Sequence, residues 1–207
     1  PFTEDWCELL SSGMGLKFKD GLSVIDLGCG YGRFLNYLAI KNINQFTYYG
    51  LEVPSDGNGD VLIPFNKEHY ETLNSGDKKI YFGFIDDEDM VNDAIENCDT
   101  LLLSSVFTHI TIEDSIEVLK KYEKILEKEN GSVVFSLIEA DSYSLLVAGS
   151  YGYDEGYAVV THTSEEIEML TLNGKYQIEK IADFQTAGVI STGKGSHKQT
   201  IYKLYEK

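Results

Sequence analysis

A carboxylate followed by three glycines at alternate positions is the stretch of this chain best suited to hold a ligand. Asp26 stands near the end of the apolar run Leu22–Leu27, and Gly28, Gly30 and Gly32 follow it. Apolar side chains then recur at helical spacing, so the pattern predicts a strand, a tight turn and a helix. Glycine takes positive φ in such a turn, and its missing Cβ lets the backbone approach a ligand closely.

The spacing of these glycines and of a later glutamate indicates the kind of ligand. A dinucleotide site requires glycines at the first, third and sixth positions, but Arg33 stands at the sixth. Glu52 ends a second predicted strand at 45–51, where a carboxylate can accept hydrogen bonds from both hydroxyls of a ribose. The pattern therefore favours a ligand that carries a ribose, and Arg33 at the sixth position disfavours an NAD-linked enzyme.

The D-x-G-x-G-x-G pattern at residues 26–32 resembles motif I of the class I S-adenosylmethionine (SAM) methyltransferases. Residues 48–52 are similar to the family's Y-x-G-x-(D/E) form, and the string S-V-F-T-H-I at residues 105–110 is similar to one in many small-molecule methyltransferases. The resemblance implies SAM as cofactor and S-adenosylhomocysteine as product. The cofactor-binding residues that it implies are Asp26, Gly28, Cys29, Gly30, Glu52, Val53, Asp86 and Ser104.

Histidines are the candidates for the base that a hydroxyl acceptor requires, because histidine titrates near neutral pH. His109 follows the predicted fourth strand, His162 precedes a helix start, and His197 lies between the last two strands. All three are expected at the ligand edge of the sheet, whereas His69 falls on a predicted surface helix. His109 is the first candidate, with His197 and His162 next, and a structural hydrogen bond is the competing interpretation for each.

Seven predicted strands must position these side chains. They lie at 22–27, 45–51, 79–85, 100–104, 131–137, 176–182 and 199–204. Helices alternate with strands through residue 137, and the connection before the last strand lacks an obvious helix. We therefore predict one α/β domain over residues 1–207 with a Rossmann-like, doubly wound sheet of seven strands. Six strands are parallel, the last is antiparallel, and helices cover both faces.

Two segments are expected to frame the acceptor. Residues 1–21 contain the only tryptophan, Trp6, and the resemblance implies an N-terminal segment that covers the cofactor. Residues 138–163 have no regular period and are rich in tyrosine. We expect them to form a substrate-side loop region that includes Tyr151.

A turn-rich insertion over residues 54–65 departs from the family pattern. Asp, Asn and Gly cluster at its start, and residues 61–63 are expected to form a loop or short hairpin before a helix near 67–73. The cluster is similar to a calcium loop but lacks the terminal glutamate, so no metal site is expected.

The charge and cysteine content restrict the partners. The formal charge is −17, from 34 acidic and 17 basic residues, which disfavours nucleic acid and anionic membranes. Cys7, Cys29 and Cys98 are far apart and odd in number, as is typical of reduced thiols. No apolar run approaches the roughly 20 residues of a membrane span, and no signal-peptide pattern opens the chain. We expect a cytoplasmic protein.

One basic stretch indicates the acceptor. No acidic residue occurs from residue 184 to residue 205, and Lys194 and Lys198 lie there beside glycines. Such a stretch gathers anions, although a solvated surface loop is the competing interpretation. We expect O-methylation of a phosphorylated or nucleotide-linked small molecule, because the S-V-F-T-H-I string is also similar to bacterial methyltransferases of surface-polysaccharide precursors. The alternatives are N-methylation of a small metabolite and a SAM-binding regulatory module without catalysis.

Overall fold

The structure is a computed structural model of the 207-residue chain. It describes residues 7–10, 21–54, 59–142, 144–148, 157–185 and 198–206. Four of the predicted site residues lie outside this part of the chain, namely Trp6, Tyr151, Lys194 and His197. Lys198 is described by its backbone alone, as the first residue of the last strand.

The described residues form one mixed sheet with helices around it. The strands are β1 Leu22–Leu27, β2 Phe46–Glu52, β3 Lys78–Phe84, β4 Thr100–Leu103, β5 Ser132–Glu139, β6 Ser144–Ala148, β7 Tyr157–His162, β8 Tyr176–Gln185 and β9 Lys198–Glu206. The helices are α1 Arg33–Ile40, α2 Gly59–Tyr70, α3 Glu88–Asn97, α4 Ile112–Lys121, α5 Glu123–Leu126 and α6 Ser164–Met169, with a 3₁₀ turn at Glu71–Leu73.

The strand order confirms the predicted doubly wound fold. Neighbours in the order β3-β2-β1-β4-β5 are parallel. β9 is antiparallel to β5 and β8 is antiparallel to β9, so β8 runs in the same direction as β5. These seven strands are the predicted set of six parallel strands and a last, antiparallel one. The carboxyl ends of β1 to β5 therefore meet at one edge, where sheets of this kind bind ligands.

Residues 138–163, which the sequence analysis treats as a loop region, contain two additional strands. β6 and β7 pair antiparallel, and β7 continues beside the end of β5 through the pair Ile138 and Thr161. Val159, Val160 and Thr161 are all buried, so consecutive side chains on both faces of β7 avoid water. A strand buried on both faces lacks the alternation of polar and apolar residues that identifies a strand, which is why it was not predicted.

Helices pack on both faces of the sheet. Val24 and Ile25 are consecutive in β1 and both fully buried, one in each of two apolar clusters. The cluster around Ile25 includes side chains from α3, α4, α5 and α6, and the cluster around Val24 includes side chains from α1 and α2. A central parallel strand is expected to be apolar on both faces for this reason.

The helix after β2 begins at Gly59, eight residues before the predicted start near residue 67. The expected loop or hairpin at residues 61–63 is therefore wrong. Leu62, Asn66 and Tyr70 are spaced by four residues and are all buried, so they form one packed stripe of α2. Packing of this stripe offsets Pro64, which lies inside the helix and cannot donate a backbone hydrogen bond.

Candidate active site

The glycine turn between β1 and α1 is tied to the end of β2. Gly28, Gly30 and Gly32 have φ values of 72°, 53° and 67°, a region that residues with a Cβ rarely occupy. The N–H groups of Gly28 and Cys29 both donate to the carbonyl oxygen of Leu51, at 2.8 and 3.3 Å. The turn therefore lies over the carboxyl ends of β1 and β2, as predicted.

The space around the three glycines differs. A Cβ at Gly28 would lie 2.8 Å from Cγ2 of Val106, and a Cβ at Gly32 would lie 2.8 Å from the ring of Tyr70. A Cβ at Gly30 would meet no atom within 4 Å. Protein side chains therefore fill the space beside the first and third glycines, and the turn is open at Gly30, where a ligand can approach the backbone.

Glu52 lies beside this open position. Its Oε2 accepts a hydrogen bond of 2.9 Å from the N–H of Gly30, and its Oε1 accepts one of 3.1 Å from the N–H of Val53. Each carboxylate oxygen has two acceptor positions, so each retains one for a ligand hydroxyl. The carboxylate is half-buried and Val53 is exposed, so a ligand can reach both.

Asp26 lies below the turn, at the end of β1. Its side chain is buried, and its Oδ2 accepts a hydrogen bond of 2.7 Å from the hydroxyl of Tyr48. Burial raises the pKa of this carboxyl to about 7, the Tyr48 hydrogen bond opposes the rise, and the carboxylate of Glu52 adds to it. The site therefore contains a carboxyl that changes charge near neutral pH.

Two further residues that are predicted to bind the cofactor, Cys29 and Asp86, differ in how exposed their side chains are. Cys29 is buried, and burial raises the pKa of its thiol far above the usual range, so the thiol stays protonated, 3.8 Å from the carbonyl oxygen of Gly30. Asp87 caps α3 by accepting a hydrogen bond of 3.1 Å from the N–H of Met90. Asp86 is exposed immediately before it and follows β3. Of these two neighbours, Asp86 is therefore the one placed for a ligand.

Helix α2 holds the glycine turn through two side chains that the sequence analysis did not identify. Nδ2 of Asn66 donates to the carbonyl of Gly30 at 2.7 Å. The hydroxyl of Tyr70 lies 3.0 Å from the carbonyl of Tyr31 and 3.1 Å from that of Gly32. The hydroxyl carries a single hydrogen, which the carbonyls of Tyr31 and Gly32 share, so one helix holds the turn through Gly30 and through this pair of carbonyls. The four-residue spacing of Asn66 and Tyr70 is the sequence signal for one face of a helix. The apolar pattern of that face is interrupted at Asn66, because asparagine is polar although it is buried here.

The loop after β4 contacts the glycine turn through Val106, the side chain that lies against Gly28. Ser104 is half-buried at the start of this loop, and His109 is exposed near its end. The backbone N–H of His109 donates to the carbonyl of Val106 at 3.0 Å. An exposed imidazole is therefore carried by the same loop that packs on the turn, at the ligand edge of the sheet.

A family model identifies this arrangement. The model, described as a methyltransferase domain, matches residues 3–177. The chain belongs to the methyltransferase domain family. SAM is its methyl donor, and the open turn at Gly30 beside the Glu52 carboxylate fits that group. No curated protein sequence matches the chain.

Solved methyltransferases share the fold at low sequence identity. Magnesium protoporphyrin IX methyltransferase (ChlM) from Synechocystis PCC 6803, with bound SAH, is 13% identical over 98% of this chain and 84% of its own, with a TM-score of 0.58. The glycopeptide N-methyltransferase MtfA is 11% identical over 99% and 90%, with a TM-score of 0.60. The N-terminal domain of EvdMO1, in the presence of SAH and D-fucose, is 11% identical over 99% and 82%, with a TM-score of 0.56.

His162 lies inside the methyltransferase fold and away from solvent. Its Nε2 is 2.8 Å from the carbonyl oxygen of Phe107, and a carbonyl only accepts, so Nε2 carries the hydrogen. Its Nδ1 is buried and has no hydrogen-bond partner within the described part of the chain. The imidazole thus connects β7 to the loop after β4. Because it is buried, it is not accessible to a methyl acceptor in solution.

A polar cleft of about 280 Å³ lies at the carboxyl end of β5. The polar residues that line it are Glu139, Asp141, Ser164, Lys180, Asp183 and Thr200. Oε2 of Glu139 accepts hydrogen bonds from Tyr202 at 2.8 Å and from Lys180 at 3.3 Å. Lys180 also contacts Asp183 at 2.9 Å. The lining of the cleft therefore contains three carboxylates and one ammonium group, so the cleft is acidic.

No group of three or more His, Cys, Asp or Glu side chains among the described residues could hold a metal ion. No helix within those same ranges is long and apolar enough to span a membrane.

Proposed function

We propose that this methyltransferase methylates an oxygen of a small, anionic acceptor, a phosphorylated or nucleotide-linked precursor of a bacterial surface polysaccharide. The observation that carries the proposal is the contact of Val106 with Gly28. It joins the loop of the exposed His109 to the turn that holds the methyl donor. Proton removal and methyl donation can therefore occur at one place.

The cofactor residues have separate roles in this proposal. Glu52 accepts hydrogen bonds from the ribose hydroxyls, and Asp86 receives the amino group of the adenine. Asp26 stabilises the ammonium group of the methionine part from below the turn, through the field of its carboxylate. Cys29, Gly30, Val53 and Ser104 line the site by their backbone or small side chains. When bound, SAM supplies a methyl group that is already activated for transfer.

His109 is the proposed base. Its side chain is exposed, whereas the Nε2 hydrogen of His162 is bonded to a carbonyl in the interior. A base near the attacking hydroxyl takes its proton as the new bond forms, which contributes roughly 10²- to 10⁴-fold to the rate. His197 remains the second candidate from the sequence.

The polar acceptor is supported by the chemistry of the described surface and by one relative. The cleft beside Glu139 and Ser164 offers several hydrogen-bonding groups to hydroxyls of a sugar. The N-terminal domain of EvdMO1 was crystallised in the presence of D-fucose. The anionic part of the acceptor is assigned to Lys194 and Lys198, with Trp6 and Tyr151 as further contacts. A cytoplasmic location, one domain over residues 1–207 and no nucleic-acid or membrane partner belong to the same proposal.

N-methylation is the second candidate, and the acidic cleft favours it. Glu139, Asp141 and Asp183 line this cleft together with a single lysine, an environment that attracts an amine rather than a phosphate. MtfA, which shares the fold, is a glycopeptide N-methyltransferase. The two candidates therefore differ in the charge of the acceptor.

A methyl-transfer screen with labelled SAM tests the proposal. The acceptors are nucleotide-activated sugars, sugar phosphates, the corresponding neutral sugars and amino sugars. The proposal expects label on an oxygen of the phosphorylated compounds, and loss of that label in the His109→Ala variant. Transfer to amino sugars alone would favour N-methylation, and SAM binding without any transfer would favour a regulatory module.

A further inference from the structure

Ser105, the first residue of the S-V-F-T-H-I string, has a backbone conformation that its residue type disfavours. Its φ is 64°, in the left-handed region, although it is neither glycine nor asparagine. A non-glycine residue is strained in this region and persists there only where its surroundings impose it. The cause must therefore lie in the contacts of Ser105.

Every polar group of Ser105 has a partner. Its N–H donates to Oγ of Ser136 on β5 at 2.8 Å, and its carbonyl accepts from Oγ1 of Thr108 at 2.6 Å. Its Oγ accepts from Nε2 of Gln199 on β9 at 2.9 Å, and the same Nε2 donates to Oγ of Ser136 at 2.9 Å. Ser136, Thr108 and Gln199 are all buried. Hydrogen bonds from two strands and from the loop itself thus enforce the unusual backbone.

The turn at Ser105 decides where the rest of the loop lies. The next residue, Val106, contacts Gly28, and three residues later the chain presents His109 to solvent. Farther along, β7 holds the loop from its other side, because the N–H of Val160 donates to the carbonyl of Thr108 at 2.9 Å. Without the turn at Ser105, these contacts could not all be made by one short loop.

We propose that Ser105 is a positioning residue for methyl transfer, and that Gln199 and Ser136 hold its left-handed backbone so that the loop keeps Val106 against the cofactor turn and His109 exposed at the ligand edge of the sheet. The role of His109 rests on the proposed function, but the placement of the loop does not. A misplacement of a reacting group by about 1 Å can lower a rate by about 100-fold. The network therefore contributes to turnover and not to the affinity for SAM.

Three variants separate the backbone from the side chain. Gln199→Met keeps the length of the side chain and removes both donated hydrogen bonds. Ser105→Ala loses the hydroxyl and keeps the strained φ, whereas Ser105→Gly loses the same hydroxyl and tolerates that φ. Asn173→Ala is the control, because Asn173 is exposed, has a φ of 61° and lies in the turn before β8.

The measurements are kcat with the acceptor found by the screen, the SAM affinity by calorimetry, and hydrogen exchange of the amides of residues 105–109. We expect Gln199→Met and Ser105→Ala to lower kcat about 10- to 100-fold, to change the SAM affinity less than about twofold, and to speed exchange in this loop. Ser105→Gly should retain more of the turnover than Ser105→Ala. The Asn173→Ala control should lower the stability of the protein and leave kcat, the SAM affinity and the exchange of residues 105–109 unchanged.

Equal turnover of the alanine and glycine variants would overturn the role of the strained backbone. Unchanged exchange and kcat in Gln199→Met would overturn the network. If the wild-type protein transfers no methyl group to any acceptor, the proposed function fails, and the exchange measurement still decides whether Gln199 holds the loop.

Discussion

The backbone N–H of Gly30 donates a hydrogen bond of 2.9 Å to Oε2 of Glu52, which joins the glycine turn after β1 to the end of β2. The proposed sites for the methionine part and for the ribose of SAM are therefore one connected unit. A substitution at Glu52 removes an acceptor from the ribose and also releases the N–H of the open glycine.

Replacing Glu52 by alanine should weaken SAM binding about 10- to 150-fold, which corresponds to about 1.5–3 kcal/mol for a charged hydrogen-bond acceptor. Calorimetry measures the effect directly. Glu117→Ala, which removes an exposed glutamate on α4, is the matched control and should bind SAM as the wild type does. Equal affinities of the Glu52 and Glu117 variants would contradict the assignment of the ribose site.

The raised pKa of Asp26 makes stability depend on pH. Burial raises this pKa to about 7, whereas an unfolded aspartate titrates near 4. Between these values the folded protein binds more protons than the unfolded chain, so the contribution of Asp26 to the free energy of unfolding falls as the pH rises. Above pH 7 the buried carboxylate costs at most about 4 kcal/mol.

Asp26→Asn removes this cost. Compared with the wild type, its free energy of unfolding should therefore improve as the pH rises from 5 to 8, and urea unfolding at both pH values measures the difference. SAM should bind the variant more weakly if Asp26 has its proposed role, because the carboxylate whose field would stabilise the ammonium group is lost. A difference in unfolding free energy that is the same at pH 5 and pH 8 would show that Asp26 does not titrate in this range.

The glycine motif after β1 could be predicted from the sequence. The side-chain hydrogen bonds that hold this turn in place could not. The bounds of β1 follow from the apolar run that ends at the glycines. The contact of Asn66 with Gly30 depends on how α2 docks across the turn, which no local pattern encodes. Likewise, Glu52 could be placed at a strand end by spacing, but its bond to Gly30 arises only when two strands are paired.

The candidate bases show the same division. His109 and His162 were both placed at the ligand edge of the sheet by the order of elements. Only packing shows that His162 is buried against the carbonyl of Phe107 while His109 is exposed. A buried histidine and an exposed one have the same sequence signal, because burial is set by residues far apart in the chain.

Helix α2 should control the affinity for SAM through the glycine turn. Tyr70→Phe removes the hydroxyl near two carbonyls and keeps the ring beside Gly32, so the fold is expected to persist. Each lost hydrogen bond is worth about 0.5–1.5 kcal/mol, and we expect SAM binding to weaken about 2- to 10-fold. Tyr81→Phe, which changes a tyrosine on the edge strand β3, is the control for calorimetry. A Tyr70→Phe variant with wild-type affinity would show that the turn keeps its shape without the hydroxyl.

The two candidate bases in the described part of the chain, His109 and His162, should separate by function and stability. His109→Ala should lower the methylation rate about 10²- to 10⁴-fold and leave the SAM affinity unchanged. His162→Ala should lower the melting temperature, because it removes a buried side chain and its bond to Phe107. Turnover with the acceptor found by the screen and thermal unfolding measure the two effects. If His109→Ala turns over at the wild-type rate, the exposed histidine is not the base.

The basic stretch before and at the start of β9 should bind the anionic part of the acceptor. Lys194 and Lys198 belong to a run without acidic residues, in a chain of net charge −17. Lys194→Ala and Lys198→Ala should each raise KM for a phosphorylated acceptor about 10-fold, because each removes a charge-assisted hydrogen bond, and should leave KM for the neutral analogue unchanged. Lys79→Ala, on the edge strand β3, is the control for net charge. Steady-state kinetics at two salt concentrations distinguish a direct contact from a general field, since only the field is strongly screened.

If neutral and phosphorylated acceptors react equally well, or if both lysine variants keep the wild-type KM, the acceptor is not held by an anion site and the acidic cleft at Glu139 becomes the better candidate.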